Sequence, residues 1–379
     1  MSLHSYYKDL DFKRITQARE RKGMTKKRLA ELIDKTPSTI TQFESGKSGI
    51  AFETFQKLVE ALEVHPAYLT SRVANSPEIP LGQCHFRANR NVSMSERTMA
   101  KRYAEDVLAI YAALERRGIE FPKIVFSQYE GDRLSESQIE AYSAQVRTEL
   151  GLGLGPIPNM ADLLEIIGVR IVLLPTECAR LDAFACWVEG TPCIMVAGNS
   201  PKSRLQFDYA HEFKHILCDE DETPEDALLE RTANRFASSF LMPKQSFYAD
   251  CPNKFSFGIF LSLKAHWNVS IKAALYRSRQ LGIISERSYT NAYISLSKRG
   301  FNKEEPGEES LENPFPQLLE QAITLLVDET TLKEIADEIG FSEAQLENIL
   351  LEQGVSQALV QKLSPPVPTP KRGTLRLVK

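Results

Sequence analysis

Between Phe12 and Ser71, apolar residues recur at three- and four-residue intervals in short blocks, each closed by a glycine or opened by a hydroxyl residue. That is the pattern of short amphipathic helices joined by tight turns. Phe12 to Lys22 predicts a first helix, ended by Gly23, and Thr25 caps a second from Lys26 to Ile33, with Leu29, Ala30 and Ile33 inward. Thr36 caps a third, with Pro37 at its first position, where a missing N–H costs nothing, and Gly46 closes it. Phe52 to Leu62 and Ala67 to Ser71 complete an all-α five-helix head, residues 8–72.

The pattern then lapses. Residues 73–94, with Pro77, Pro80 and Gly82, read as an irregular linker whose C-terminal part packs on the next domain. Glu96 to Arg117 and Glu136 to Leu150 predict longer helices, the second broken by the Gly-Pro cluster 151–158. Met160 to Ile167 is helical, and Val169 to Leu174 is a buried β-type run. Ala183 to Val188 and Cys193 to Val196 are further strands about a turn at Gly190-Thr191-Pro192. Arg204 to Cys218 and Pro224 to Leu241 are again helical, completing an α+β body over 95–250.

A helical C-terminal region over 251–363 is predicted from Phe257 to Trp267, Ile271 to Leu281, Tyr289 to Ser297, Leu318 to Asp328, Leu332 to Ile339 and Glu343 to Leu350. Glu304 to Pro316 reads as an exposed polar loop, and 364–379 as a disordered basic tail. The expected fold is multi-domain, mainly α with a small β-sheet.

Charge changes this picture in one respect. The chain carries a net −4, yet residues 1–72 hold 13 Lys/Arg against 9 Asp/Glu, or +4, leaving about −8 for the rest. A basic head on an acidic body fits a local polyanion contact. No apolar run reaches the ~18 residues of a membrane span. Six scattered cysteines without a CxxC pair predict reduced thiols and a cytoplasmic protein.

The candidate chemistry lies in His211-Glu212-Phe213-Lys214-His215. Histidines four apart on a helix face one way and can reach one cation, zinc for this ligand type. The intervening Glu212 projects nearby as a general base, because zinc lowers the pKa of its water to about 7. A third ligand is needed. Position 221, ten beyond His211, is aspartate. The candidates are Asp219, Glu220, Asp221, Glu222, Glu225, Asp226 and Glu230. Glu230 is favoured, since a reversal at Pro224 brings its helix back antiparallel. Asn234, one turn on, is placed to hold a histidine ring through its second nitrogen. Arg204 and Tyr209 are candidates to line the cleft and stabilise an oxyanion.

His211-Glu212-x-x-His215, then Glu230-x-x-Ala233-Asn234-x-Phe236-Ala237, then Phe240-Leu241-Met242-Pro243, resembles the ImmA/IrrE family of metallopeptidases from about residue 140 to 243. The resemblance implies a gluzincin-like core with one zinc at His211, His215 and Glu230, and Glu212 as base. Its implied substrate is a helix-turn-helix repressor, whose cleavage derepresses genes; the fusion of head and body through an accessible linker adds the chain itself, cut within 71–95, as a second candidate. Asp219 stands where many members carry histidine.

Residues 12–70 resemble the XRE-type helix-turn-helix domain, through Met24 to Ala30 and Ser38 to Lys47. That implies double-stranded DNA as partner, with Pro37, Ser38, Thr41 and Gln42 toward base edges and Lys26, Lys27 and Lys47 toward phosphates. Arg19 and Glu44 match a paired position of the family. A half-site per head implies a homodimer. The segment 331–350 has similar periodicity, but its second helix is acidic, which favours packing over DNA. The competing reading is a DNA-binding regulator whose peptidase-like body only senses a ligand.

Overall fold

The structure, a computed structural model, describes the chain except residues 1–2, 72–76, 81, 83, 89–91, 132, 179, 219–226, 302–303 and 365–379. It is mainly helical, with one small mixed sheet.

In the head, helices Phe12–Arg21, Lys26–Leu32, Pro37–Glu44 and Phe52–Leu62 form where the periodicity places them. Thr25 and Thr36 accept the N–H groups of Arg28 and Thr39 as caps. The expected fifth helix, Ala67 to Ser71, is instead a 3₁₀ turn over Pro66–Leu69, and an unforeseen helix Leu3–Tyr7 packs on the head. Tyr7 there donates to the Ile50 carbonyl at 2.6 Å.

The sheet holds β1 (His85–Ala88), β2 (Arg170–Leu174), β3 (Leu181–Val188) and β4 (Thr191–Ala197) in the order β1-β3-β4-β2. β2 runs parallel to β4, while β3 is antiparallel to both β4 and β1. β1 corrects the expectation of an irregular 73–94, since a four-residue strand with proline and glycine ahead of it has too short a period to register. The β3–β4 turn also corrects the expectation. It sits at Glu189-Gly190, both at positive φ (48° and 80°), and Thr191 and Pro192 already belong to β4. Two left-handed residues match the twist of a two-residue hairpin.

The sheet separates two cores, and their division does not follow the order of the chain. On one face Phe184, Cys186, Cys193 and Met195 pack with helix Met94–Arg116, with the head's Ile15, Leu29 and Phe55, and with the last helices, Leu318–Leu326 to Gln357–Leu363. On the other, Ala183, Ala185, Ile194 and Val196 pack with helices Lys202–Cys218, Ala227–Leu241, Phe257–Trp267 and Ile271–Gln280. Strand alternation lets one sheet serve both.

The acidic segment 331–350 packs onto the body. Arg116 and Arg117 both pair with Glu338, Tyr103 donates to Glu352 at 2.6 Å, and the Gln353 amide bridges Leu173 N and O at 2.9 and 2.7 Å. The loop expected to be exposed at Glu304 to Pro316 is also anchored, because Glu305 and Leu311 are buried. Glu305 accepts the Ile271 N–H at 2.6 Å and lies 3.4 Å from the buried Lys264 ammonium, which also pairs with Glu308. A buried ammonium needs such partners, and these lie some 40 residues away in sequence.

Candidate metal centre and nucleic-acid face

Helix Lys202–Cys218 seats itself on the sheet through Leu205, Tyr209, Phe213 and Ile216, all buried. Asp182 of β3 holds its start through Arg204 at 2.9 Å, and Trp187 Nε1 donates to the Ile216 carbonyl at 3.2 Å near its end. Helix Ala227–Leu241 crosses back against it. Phe213 meets Phe236 and Phe240 edge-on, with centroids at 6.4 and 6.0 Å, and Phe236 stacks on Phe240 at 5.2 Å. That aromatic cluster fixes the pair of helices, and their spacing brings Glu230 to the histidines.

The ligand atoms converge. His211 Nε2 and His215 Nε2 are 3.3 Å apart, and the Glu230 carboxylate lies 3.5 Å from the first and 3.7 Å from the second. Ligands at about 2.0–2.1 Å around a tetrahedral zinc are separated by roughly 3.3–3.4 Å, so the donor set fits a zinc ion by type and spacing. His211 and His215 are buried, Glu212 is fully buried beside them, and Glu230 is 35% exposed, so the cluster opens on the Glu230 side. The rival acids, Asp219 to Glu222, Glu225 and Asp226, lie outside the described residues.

Other expected residues fall differently. Asn234 donates to the Glu230 carbonyl at 2.8 Å rather than to an imidazole, so it braces the turn that carries the third ligand. Tyr209 is wholly buried in the core beneath the helix, its hydroxyl without a hydrogen-bond partner among the described residues, and burial holds its phenol well above the ordinary range. That burial does not suit the cleft role expected of it. Arg204, held by Asp182 and by Asp208 at 3.4 Å, does line a cavity of about 450 Å³ beside the ligand cluster, together with Phe207, Asn234, Tyr276 and Tyr293. Sequence reasoning missed this cavity's far wall, because Tyr276 and Tyr293 come from the C-terminal helices and carry no local signal.

On the head, Pro37, Ser38, Thr41 and Gln42 are exposed on one side of Pro37–Glu44, while Ile40 and Phe43 are buried on the other. Arg19 and Glu44 pair at 2.5 Å, and Arg19 also donates to the Met24 carbonyl at 2.8 Å, which locks the first helix to the exposed one. Lys27 and Lys47 are exposed beside that face. Lys26, expected on phosphate, is drawn to Glu44 at 3.2 Å and to Thr41 Oγ1 at 3.3 Å. No helix among the described residues is long and apolar enough to cross a membrane.

Two family models match the chain. Residues 15–69 match the helix-turn-helix family, and residues 164–279 match the IrrE N-terminal-like domain of the M78 peptidases, a span that contains His211, Glu212, His215 and Glu230. No curated protein matches the chain. M78 peptidases are generally zinc-dependent, which accords with the His/Glu cluster. The chain thus joins a helix-turn-helix DNA-binding domain to a peptidase domain of the M78, IrrE-like type, as a transcription regulator with a peptidase-like body.

Proposed function

We propose that the body is a zinc-dependent endopeptidase that cleaves a helix-turn-helix repressor, or the chain itself, and that the head directs this activity to DNA. The observation that carries the reading is the convergence of two imidazole nitrogens 3.3 Å apart with the two oxygens of one carboxylate, Oε2 at 3.5 Å from His211 and Oε1 at 3.7 Å from His215, a donor set within reach of one zinc ion. One zinc per chain would be held by His211, His215 and Glu230.

Zinc in that position supplies a Lewis acid that polarises a peptide carbonyl and acidifies water. Glu212, adjacent to His211 and enclosed by the helix pair, takes the proton of the attacking water and returns it to the leaving amine. Arg204, steadied by Asp182 and Asp208 in the neighbouring cavity about two helical turns before His211, would serve as a cationic contact for the substrate chain rather than for the reacting carbonyl. Asn234 keeps the Glu230 turn in place. The half-site covered by one head favours a homodimer on DNA, working in the cytoplasm.

The test is incubation of the purified chain with repressors encoded beside its gene, with and without chelator, alongside elemental analysis. About one zinc per chain and a chelator-sensitive cut are expected. Zinc at background level would sink the reading. Zinc present with no cut by wild type would leave a DNA-binding regulator with a sensing body.

A further inference from the structure

Beside the metal helix, one edge of the sheet is covered by the chain itself. In the order β1-β3-β4-β2, β3 would be the outer strand but for β1. β3 runs alongside helix Lys202–Cys218 in the same direction, since Asp182 near its start meets Arg204 at 2.9 Å and Trp187 near its end meets Ile216 at 3.2 Å. Between them Ala183 and Ala185 face the helix, small enough to let it sit close.

The seven residues from Arg204 to His211 rise about 10.5 Å along the helix, and the three from Asp182 to Ala185 advance about 10 Å along the strand. Ala185 is therefore level with the first histidine of the metal cluster. Its register partner is His85, and Phe86 and Arg87 pair with Phe184 and Ala183. The short strand that lies between the DNA-binding head and helix Met94–Arg116 in the chain is thus laid along β3 at the level of His211.

An endopeptidase must hold its substrate extended, and adding it to an open antiparallel edge is a general way to do so, because main-chain hydrogen bonds bind any sequence. We propose that His85–Ala88, paired along the β3 edge on which an extended substrate would lie, acts as a built-in competitor of that substrate. This rests on the peptidase reading above. The competitor is built to be displaced. It spans four residues, and its register shifts between Arg87 and Ala88. Whatever moves the head relative to the body pulls on this strand, so DNA occupancy and access to the peptidase share one element.

The test uses the full chain with Phe86→Pro, which removes a backbone N–H from the strand. A fluorescein-labelled synthetic peptide with the sequence of residues 85–91 serves as the binding probe, read by fluorescence anisotropy, and β-casein as the cleavage probe. Phe86→Pro should bind the peptide at least ten-fold more tightly than wild type and cleave β-casein at least five-fold faster at equal zinc content. Ala88→Pro, at the shifted end of the pairing, should give a smaller change of the same sign, and it serves as the decisive variant if circular dichroism shows Phe86→Pro unfolded. Equal peptide affinity in wild type and a folded variant overturns the proposal. Tighter peptide binding without zinc or cleavage would instead remove the peptidase reading and leave the docking edge standing.

Discussion

The two candidate surfaces of this chain are built on opposite terms. The head presents Ser38, Thr41 and Gln42 to solvent from a short helix whose other side is locked by Ile40, Phe43 and the Arg19–Glu44 pair. The metal cluster buries His211, Glu212 and His215 between two helices and leaves only Glu230 partly open. A surface that reads DNA must offer polar groups that water satisfies until DNA arrives. A site that activates water gains from exclusion of solvent, because its electrostatics are stronger there. The head should therefore tolerate changes on its working face without loss of fold, whereas the metal cluster should show function and packing together.

The largest effect tests the buried side. Glu212→Gln should lower cleavage on the order of 10²–10⁴-fold, the usual weight of a general base, with zinc content unchanged by elemental analysis. Glu230→Ala should lose zinc as well as cleavage. If Glu212→Gln cleaves like wild type, the base is elsewhere.

Next comes the core that joins head to body. Burial pushes the Glu165 carboxyl up to about 7, although it accepts the Gln317 and Leu318 N–H groups at 2.8 and 3.2 Å. A carboxyl raised on folding binds its proton more tightly in the folded state. Its contribution is thus complete below about pH 4 and is lost as pH rises through 7, a change on the order of 3 kcal/mol. Urea midpoints at pH 5 and 8 should differ accordingly, and Glu165→Gln should flatten the difference. An unchanged slope in the variant would assign the pH dependence to other groups.

The exposed side predicts smaller, separable effects. Gln42→Ala should weaken specific DNA binding by about 1–3 kcal/mol, the value of a good base contact, with zinc content and cleavage unchanged. Lys47→Ala should reduce the salt slope by roughly one unit in a titration of affinity against ionic strength. Loss of zinc in either variant would break the separation of the two surfaces.

The smallest effect concerns the thiols. Cys186 and Cys193 are register partners across β3 and β4, buried, with a hydrogen bond to the Cys84 thiol and then burial raising Cys186, and burial pushing Cys193 up to about 12. Alkylation at pH 8 followed by mass spectrometry should label the half-buried Cys218 well before either.

Much of this was legible in the chain because the causes are local. A hydroxyl cap, a proline at the first helical position and two histidines four apart each act within a turn or two, so Thr25, Thr36, Pro37, His211 and His215 speak for themselves. Glu230 was legible only as one acid among several, since its selection depends on how Phe213 stacks against Phe236 and Phe240. Asn234 was legible as a neighbour of the site, but its hydrogen bond went to the backbone.

Sequence alone determined the helical head with its outward polar face, the helix that sets His211 and His215 on one side and the general order of helices and strands, because these follow from spacing along one element. Tertiary structure alone decided that His85–Ala88 is a strand on β3, that Glu305 and Glu308 close over Lys264, that the acidic C-terminal helices cover Met94–Arg116, and that Tyr209 belongs to the core. In each of these the partner comes from a distant part of the chain, and the free energy that fixes the contact is that of burial, which no short stretch of sequence contains.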